Sequence, residues 1–399
     1  MIFDFVFCFV LLIAASFYFI MILAITAGLL KKRTKRSAGH DGSGYFSQAQ
    51  REPKIKELEK VTVILPVRNE FAVITNCLDN IALQDYPKDL FEIIVSDDFS
   101  EDYTVEKVRR WIKNHPEVRL TLVEGSVNRK ENQGKMKAIE RAVAIAEGEL
   151  IITTDADTIR GKSWIRSIAG AFINKEVRMV LGPVGFTGEK GMFQKIQVLE
   201  FSGIMGVTAG SANLGYPLMC NGANLAYRKQ AFNEAGGYSF NKDFHSGDDQ
   251  FLMMNFTKKF GKKSVVFLNE KDAIVLTSPC ASWHDFREQR LRWVSKSRGY
   301  SDRRVIAAGL LTIGFPLLIL LGGIAGIFNP LILVLSSFLW FLKILIEYPL
   351  VWLMARFFEK KQLLNYYFAA QAFQFYYSIY VSIGGQFSMY SWKGRRFRK

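Results

Sequence analysis

Cysteine is scarce in this sequence, with four residues among 399. The four are scattered, without the spacing of a zinc site, at Cys8, Cys77, Cys220 and Cys280. A cysteine-ligated metal centre and a disulfide-dense scaffold are therefore excluded. Internal repeats and low-complexity tracts are also absent, and neither contributes to the prediction of the fold.

Positive charge is in excess, with a formal net charge of +15 at pH 7, but the patterns of a nucleic-acid-binding protein are missing. The sequence has no zinc-finger, RRM or helix-turn-helix pattern, and its long apolar runs argue against such a role. We therefore expect no nucleic-acid partner. The positive charge instead favours contact with anionic membrane lipid and attraction of anionic ligands.

Charge is missing altogether from residues 5–30, a run of 26 positions that would be about 39 Å long as a helix. A cleaved signal peptide is the alternative, but the run lacks a basic start, exceeds the usual apolar length and has no small-residue cleavage site. We predict a retained transmembrane helix over residues 1–30. The basic cluster that follows places the central domain in the cytoplasm, so we expect an integral protein of a bacterial inner membrane.

The last quarter of the chain holds further uncharged stretches, one of them interrupted by Asn329-Pro330. We predict C-terminal membrane segments at about 305–327, 330–354 and 363–389. Three crossings would leave the basic tail at 393–399 outside, against the positive-inside rule. The segment 363–389, rich in amides and aromatic residues, can instead be re-entrant or interfacial, and both alternatives stay open.

The middle of the chain predicts an α/β domain. Residues 31–57 are basic and then rich in glycine and serine, as in a linker. Residues 58–300 alternate short apolar runs with helical patterns. We predict strands at 61–66, 91–95, 119–124 and 150–154. This alternation indicates a doubly wound, mostly parallel sheet, in which ligands collect at the carboxyl ends of the strands.

Acidic pairs follow two of these strands. Asp97 and Asp98 come after the second, and Asp155 and Asp157 directly follow the fourth. Carboxylates two residues apart at a strand end can hold Mg²⁺ or Mn²⁺ and leave positions open for phosphate oxygens. For Asp97-Asp98, an Asx-turn with a helix cap at Ser100 is an equally good structural explanation, and it is compatible with ligand binding.

A third acidic pair, Asp248-Asp249, precedes an apolar helical run. The helix dipole would stabilise both residues in a first turn. Paired carboxylates also raise one pKa, which suits a general base that removes a proton from a hydroxyl group. Lys135, after Gly134, can reach a phosphate-bearing ligand or be an ordinary solvated lysine.

Gln289, Arg292 and Trp293 have the spacing of residues on one helical face. Arg292 can clamp a diphosphate through two hydrogen bonds, and Trp293 can form the floor of a sugar or acceptor site. The alternative is a basic and aromatic helix at the lipid interface.

Lys343 and Glu347 lie four residues apart in an otherwise apolar segment, so they can pair on one helical face. A structural ion pair is one interpretation. Contact with a polar lipid headgroup or a translocating sugar is the other.

These motifs together resemble the inverting family-2 glycosyltransferases with a GT-A fold, in the membrane branch that includes hyaluronan, chitin and cellulose synthases and ceramide glucosyltransferase. The resemblance covers about residues 58–300 and includes the family's "P-x-x-N-E" sequence at Pro66–Glu70. Two departures are Glu140, where asparagine is common, and Arg68, where a neutral residue is usual. Either could alter donor preference.

The resemblance also implies roles for individual residues. A nucleotide-sugar donor, taken to be a UDP-sugar, would contact Pro66, Arg68, Glu70, Asp97, Asp98, Lys135, Asp155, Gln289, Arg292 and Trp293. Asp155 and Asp157 would hold Mg²⁺ or Mn²⁺, with Asp157 as the main ligand. Asp249, with Asp248 beside it, would be the catalytic base. The acceptor would lie against Asn221, Gly222 and Trp293.

The implied reaction is a single displacement that inverts the anomeric carbon. A carbohydrate acceptor, in polysaccharide synthesis, is the first expectation, because the Gln-x-x-Arg-Trp motif lies beside an apolar segment. A lipid acceptor is the alternative, since the membrane segments are few and the last is aromatic. A non-catalytic membrane protein that binds nucleotide sugars is the third possibility.

Overall fold

The computed structural model describes residues 2–31, 58–125, 133–239, 247–387, 390–393 and 395–397. The predicted linker, apart from Lys31, lies outside these ranges. Within them, an α/β domain packs against long apolar helices, which confirms the predicted fold class.

The strands of this domain form two sheets. They are β1 (Val61–Val67), β2 (Phe91–Asp97), β3 (Leu120–Val123), β4 (Leu150–Thr153), β5 (Ile159–Arg160), β6 (Met179–Leu181), β7 (Val184–Phe186), β8 (Leu225–Arg228), β9 (Val265–Phe267) and β10 (Val275–Thr277). The larger sheet has the order β3-β2-β1-β4-β8-β6-β9, and the smaller has the order β5-β10-β7. Strands β1 to β4 pair in parallel, whereas β8 is antiparallel to β4 and β6. The parallel half brings the acidic strand ends to one edge, as the sequence predicts.

Helices surround the sheet and extend away from it. They are α1 (Ile2–Leu30), α2 (Ile74–Ala82), α3 (Thr104–Asn114), α4 (Lys135–Ile145), α5 (Trp164–Ala171), α6 (Met192–Asn213), α7 (Lys229–Glu234), α8 (Asp248–Phe260), α9 (Trp283–Ser295), α10 (Arg303–Ala325), α11 (Pro330–Phe357) and α12 (Tyr367–Phe387). In α2 the buried positions Ile74, Cys77, Leu78 and Ile81 follow the helical period, so one apolar face packs on the sheet. A C-terminal hairpin joins β11 (Tyr390–Trp392) to β12 (Arg395–Phe397).

Three of the described helices, α1, α10 and α11, are long and apolar enough to cross a membrane. Helix α12, the core of the predicted segment 363–389, is not among them. It lies along α9, where Phe286 and Leu291 pack against Tyr377 and Val381. After α12 the chain is back at the central domain, where Lys393 pairs with Glu70. These observations favour the interfacial alternative for α12.

Helices α1 and α6 cross at two glycines. A Cβ atom on Gly28 would lie 2.4 Å from the Gly210 carbonyl oxygen, and one on Gly210 would lie 2.2 Å from the Ile25 carbonyl oxygen. Real side chains do not fit at these distances, so the two backbones touch only because both positions are glycine. The first helix is thereby packed into the central domain.

Lys343 and Glu347 form a buried ion pair in α11, with 2.8 Å between Nζ and Oε1. Glu347 also accepts hydrogen bonds from Tyr18 of α1 and, at 2.8 Å, from Gln371 of α12. Three helices are thus joined at one carboxylate, which favours the interpretation of a structural ion pair.

Candidate active site

Arg68 anchors the loop that follows β1. Its buried guanidinium donates to the carbonyl oxygens of Asp98, at 2.9 Å, and of Phe99. Asn69 has a positive φ of 52°, and the sharp turn there directs Glu70 to the cavity described below. The arginine that departs from the family pattern therefore ties the loops after β1 and β2 together.

The two acids after β2 have different surroundings. Asp97 is buried and accepts the Ser100 N–H at 3.0 Å, and desolvation raises its pKa. Asp98 lines the cavity and accepts the Gly134 N–H at 2.6 Å. The turn expected from the sequence thus forms at Asp97, but the helix cap expected at Ser100 is wrong, because α3 begins at Thr104 after Tyr103. Asp98 is the acid that a ligand in the cavity would meet.

Lys135, at the start of α4, connects two acidic motifs. Its Nζ lies 2.7 Å from Asp155 Oδ1 and 3.9 Å from Asp248 Oδ2. Burial alone would lower the pKa of Lys135, but these carboxylates outweigh it and raise the pKa. Lys135 is therefore a charged, largely buried residue of the site rather than a solvated lysine.

Asp155 and Asp157 have the character of a divalent cation site. Asp157 is exposed at its surface, but the surrounding protein removes water from much of its carboxylate. This desolvation raises the pKa of Asp157, and the negative charge of Asp155 raises it further. A divalent cation would neutralise the two carboxylates. Among the described residues no group of three ligating side chains occurs. The residues present fit Mg²⁺ or Mn²⁺ held by two carboxylates, with phosphate and water completing the shell.

Asp248 and Asp249 occupy the first turn of α8, after Gly247 in the left-handed region at φ 98°. Asp249 Oδ2 accepts the Gly222 N–H at 3.0 Å, and Oδ1 accepts the Gln250 N–H at 2.7 Å. The Asp249 carboxylate is therefore held at both oxygen atoms.

The pKa values of this pair move in opposite directions. Burial raises the pKa of Asp248, and the neighbouring Asp249 adds to that effect, although Lys135 opposes it. Burial would also raise the pKa of Asp249, but Lys296 and then Lys135 outweigh it and lower the pKa. The rise expected for one member of the pair thus falls on Asp248, whereas the neighbouring lysines favour the ionised form of Asp249.

The loop before β8 brings backbone close to these charges. The Asn221 side chain accepts the Ala223 N–H at 2.9 Å and so caps a short 3₁₀ turn. A Cβ atom on Gly222 would lie 3.3 Å from Lys135 Nζ and 3.6 Å from Asp248 Oδ2. Asn221 therefore shapes the loop, and Gly222 leaves room beside the charged groups.

Helix α9 carries the Gln-x-x-Arg-Trp motif, and all three residues line the cavity. Between them, the buried Arg290 was not predicted as part of the site. Its Nη2 lies 2.5 Å from Glu200 Oε2 of α6, and Tyr377 of α12 donates to the same carboxylate. The guanidinium carbon is 4.2 Å from the centroid of the Trp293 ring, a cation–π distance. Arg290 thus fixes α9 against α6 and α12.

Removal of the partner of Arg290 should destabilise the protein. Glu200→Ala leaves a buried guanidinium without its carboxylate, and we expect a loss of about 3–5 kcal/mol. The measurement is the thermal midpoint of unfolding of the full chain in detergent. The double variant Glu200→Met with Arg290→Met should recover most of the loss, and the exposed Glu176→Ala should have no effect. A wild-type midpoint for Glu200→Ala would contradict the assignment.

One cavity of about 570 Å³ brings the predicted site residues together. Its wall includes Pro66, Arg68, Glu70, Asp98, Lys135, Asp155, Asp157, Asn221, Gly222, Asp248, Asp249, Gln289, Arg292 and Trp293, whereas Asp97 is outside it. Lys296 and Lys393 also line it, and neither belongs to a motif. The cavity continues between the membrane-type helices, past Ile25 of α1, Gly309 of α10 and Val351 of α11.

Comparison with known proteins identifies relatives with sugar-transfer activities. An N-acetylglucosaminyltransferase of Rhizobium meliloti (strain 1021) is 25% identical over 246 residues, which are 60% of this chain and 55% of that protein. A poly-beta-1,6-N-acetyl-D-glucosamine synthase of Staphylococcus epidermidis is 26% identical over 183 residues, 45% of this chain and 42% of that protein. The chain thus spans about half the length of these curated relatives.

A solved structure and a family model agree with the fold. The mannosyltransferase PcManGT from Pyrobaculum calidifontis, in complex with GDP-Man and Mn²⁺, superposes with a TM-score of 0.57 at 20% identity, over 93% of this chain and 98% of that chain. This likeness confirms the predicted GT-A-like fold. The model of Glycosyl transferase family 21 matches residues 16–398. Because that match covers nearly the whole chain, the protein belongs to glycosyl transferase family 21, which confirms the glycosyltransferase class predicted from its motifs.

Proposed function

We propose that this protein transfers a sugar from a nucleotide-sugar donor, taken to be a UDP-sugar, to a lipid acceptor at the cytoplasmic face of the membrane, with inversion. One observation carries the proposal. The cavity that holds the acidic motifs continues between α1, α10 and α11, the three helices that can cross a membrane. An acceptor that enters there has its reactive end at the carboxylates and its chain among apolar side chains.

The part of the cavity between α1, α10 and α11, called the apolar arm below, can surround an apolar chain. Ile22 and Ile25 of α1, Val305 and Ile313 of α10 and Leu350 of α11 contribute to the wall of this arm. Gly309 is exposed and lines the same arm, which gives an entrance from the side of the lipid. A lipid molecule needs only such lateral access, whereas a growing polysaccharide needs a path across the membrane. The lipid acceptor, the alternative at the level of sequence, is therefore preferred.

In the proposed reaction, Asp249 accepts the proton of the acceptor hydroxyl group as that oxygen attacks the anomeric carbon. Arg292 stabilises the departing diphosphate through hydrogen bonds. Mg²⁺ or Mn²⁺ held by Asp155 and Asp157 would supply further positive charge for the leaving group. Lys135 adds a fixed positive charge between the two acidic motifs. One displacement inverts the configuration, so an α-linked donor gives a β-glycoside.

Filling the apolar arm tests the lipid acceptor. Gly309→Leu adds a side chain whose Cβ meets no described atom within 4 Å, so the helix should tolerate it while the arm is narrowed. We expect the lipid-dependent release of UDP to fall roughly tenfold or more, because the acceptor is displaced from the base. Donor binding should not change. Gly314→Leu is the matched control, since Gly314 lies on the same helix and its Cβ position also has no described atom within 4 Å, but it is outside the cavity wall.

The assay also separates the other functions. The purified protein is incubated with UDP-glucose, UDP-N-acetylglucosamine or GDP-mannose and Mn²⁺, with and without a total bacterial lipid extract. UDP or GDP release only with lipid, and a small product soluble in organic solvent, supports the proposal. A polymeric product without added lipid would instead make the protein a polysaccharide synthase, the activity named for the Staphylococcus epidermidis relative. No release with any donor would favour the non-catalytic alternative.

A further inference from the structure

Lys296 lies immediately after α9 and beside the proposed base. Its Nζ is 3.3 Å from Asp249 Oδ1, and the two side chains are only 14% and 13% exposed. Lys296 is part of none of the sequence motifs, and it reaches Asp249 across 47 positions of the chain. A largely buried ammonium group within hydrogen-bonding distance of a largely buried carboxylate makes a charge-assisted contact.

Other charged and titratable groups also surround Asp249. Asp248 precedes it, and Lys135 faces it from α4. Cys220, Tyr238 and Tyr300 approach from three further segments. Lys135 is closer to Asp155, at 2.7 Å, than to Asp248, at 3.9 Å. In the part of the chain that the structure describes, Lys296 is thus the cation in direct contact with Asp249.

The contacts of Asp249 divide between its two oxygen atoms. Oδ1 accepts from Lys296 and from the Gln250 N–H, whereas Oδ2 accepts from the Gly222 N–H. Burial by itself would favour the protonated acid, and the pKa of Asp249 is nevertheless lowered, with Lys296 as the strongest opposing cause. Without Lys296, the carboxylate would lose its direct charge partner and one of the three hydrogen bonds that orient it.

We propose that Lys296 is a positioning residue that keeps Asp249 ionised and, together with the Gln250 and Gly222 N–H groups, orients its carboxylate toward the acceptor. This proposal rests on the proposed function, in which Asp249 is the base. It assigns to Lys296 a role in setting the pH range of the reaction rather than in binding the donor.

The experiment is the pH profile of kcat/KM for lipid-dependent UDP release, measured with the full-length purified protein, the total lipid extract and the donor of highest turnover. Activity falls on the acid side as the base is protonated. Removal of an adjacent positive charge raises the pKa of the base, so in Lys296→Met the acid limb should move to higher pH by about one unit or more. Lys296→Arg should keep the wild-type limb, and the affinity for donor should not change.

Matched variants make the result specific. Lys258→Met removes an exposed lysine from α8 and should leave the profile unchanged. If Lys296→Met does not fold, Lys296→Gln, which keeps a polar group but no charge, should give the same shift. A wild-type acid limb in both neutral variants, with Asp249→Asn inactive, would overturn the role of Lys296 alone. Full activity of Asp249→Asn would instead remove the proposed base, and the inference with it.

Discussion

Asp249→Asn is expected to abolish sugar transfer while donor binding stays nearly intact. The amide cannot accept the proton of the acceptor hydroxyl group, and loss of a general base commonly costs about 10²–10⁴-fold in rate. Asparagine has nearly the same shape, and its oxygen can still accept the Gly222 N–H that Asp249 accepts at 3.0 Å. The measurements are UDP release in the presence of lipid and the Kd of UDP with Mn²⁺.

Two controls make this result interpretable. Asp248→Asn tests the neighbour whose pKa is raised by burial, and it should retain more activity than Asp249→Asn. Asp89→Asn changes an exposed acid outside the cavity wall and should behave as wild type. Full activity of Asp249→Asn would exclude Asp249 as the base. The reverse order of the two adjacent variants would transfer that role to Asp248.

Asp157→Ala is expected to weaken donor binding only when metal is present. Loss of a residue that hydrogen-bonds to a metal ligand commonly lowers the affinity for the metal about 10–100-fold, and loss of the ligand itself should lower it at least as much. We therefore expect the Kd of UDP with Mn²⁺ to rise by this factor or more, and the Kd with chelator to stay near its wild-type value. Titration calorimetry with and without Mn²⁺ measures both.

The fold should survive this substitution. Desolvation and then the charge of Asp155 raise the pKa of Asp157, so the ionised form of Asp157 is disfavoured in the folded protein. Replacing Asp157 with alanine removes the repulsion between the two carboxylates. The thermal midpoint without metal should therefore not fall, and Asp89→Ala provides the control. Unchanged affinity for UDP with Mn²⁺ in Asp157→Ala would count against Asp157 as the main ligand.

Much of the fold could be predicted because its signals are local. The buried run of β1 and the helical spacing of Ile74, Cys77, Leu78 and Ile81 in α2 are visible in short windows of sequence. The rule that ligands collect at the carboxyl ends of parallel strands then places Asp98 and Asp155 on one edge. These predictions depend only on residues close together in the chain and on one rule of topology.

The unpredicted parts of the site depend on distant pairings. Arg290 meets Glu200 across 90 positions, and Lys393 meets Glu70 across 323. Sequence spacing contains no signal for such pairs, because helix packing brings them together. The adjacent acids Asp248 and Asp249 also look equivalent in the sequence. Their pKa values move apart because burial raises that of Asp248, whereas Lys296 and then Lys135 lower that of Asp249. A cluster of basic residues beside the Gln-x-x-Arg-Trp motif was visible, but it did not indicate a partner.

The contact between Gly28 and Gly210 has a consequence for biosynthesis and for preparation of the protein. Helix α1 is synthesised long before α6, so its Gly28 face has no packing partner until the later helix has been made. Deleting α1 to obtain a water-soluble enzyme would uncover the face of α6 that fits against it and would open the cavity at Ile22 and Ile25. The first helix is therefore a structural part of the enzyme, and purification has to keep it in detergent or lipid.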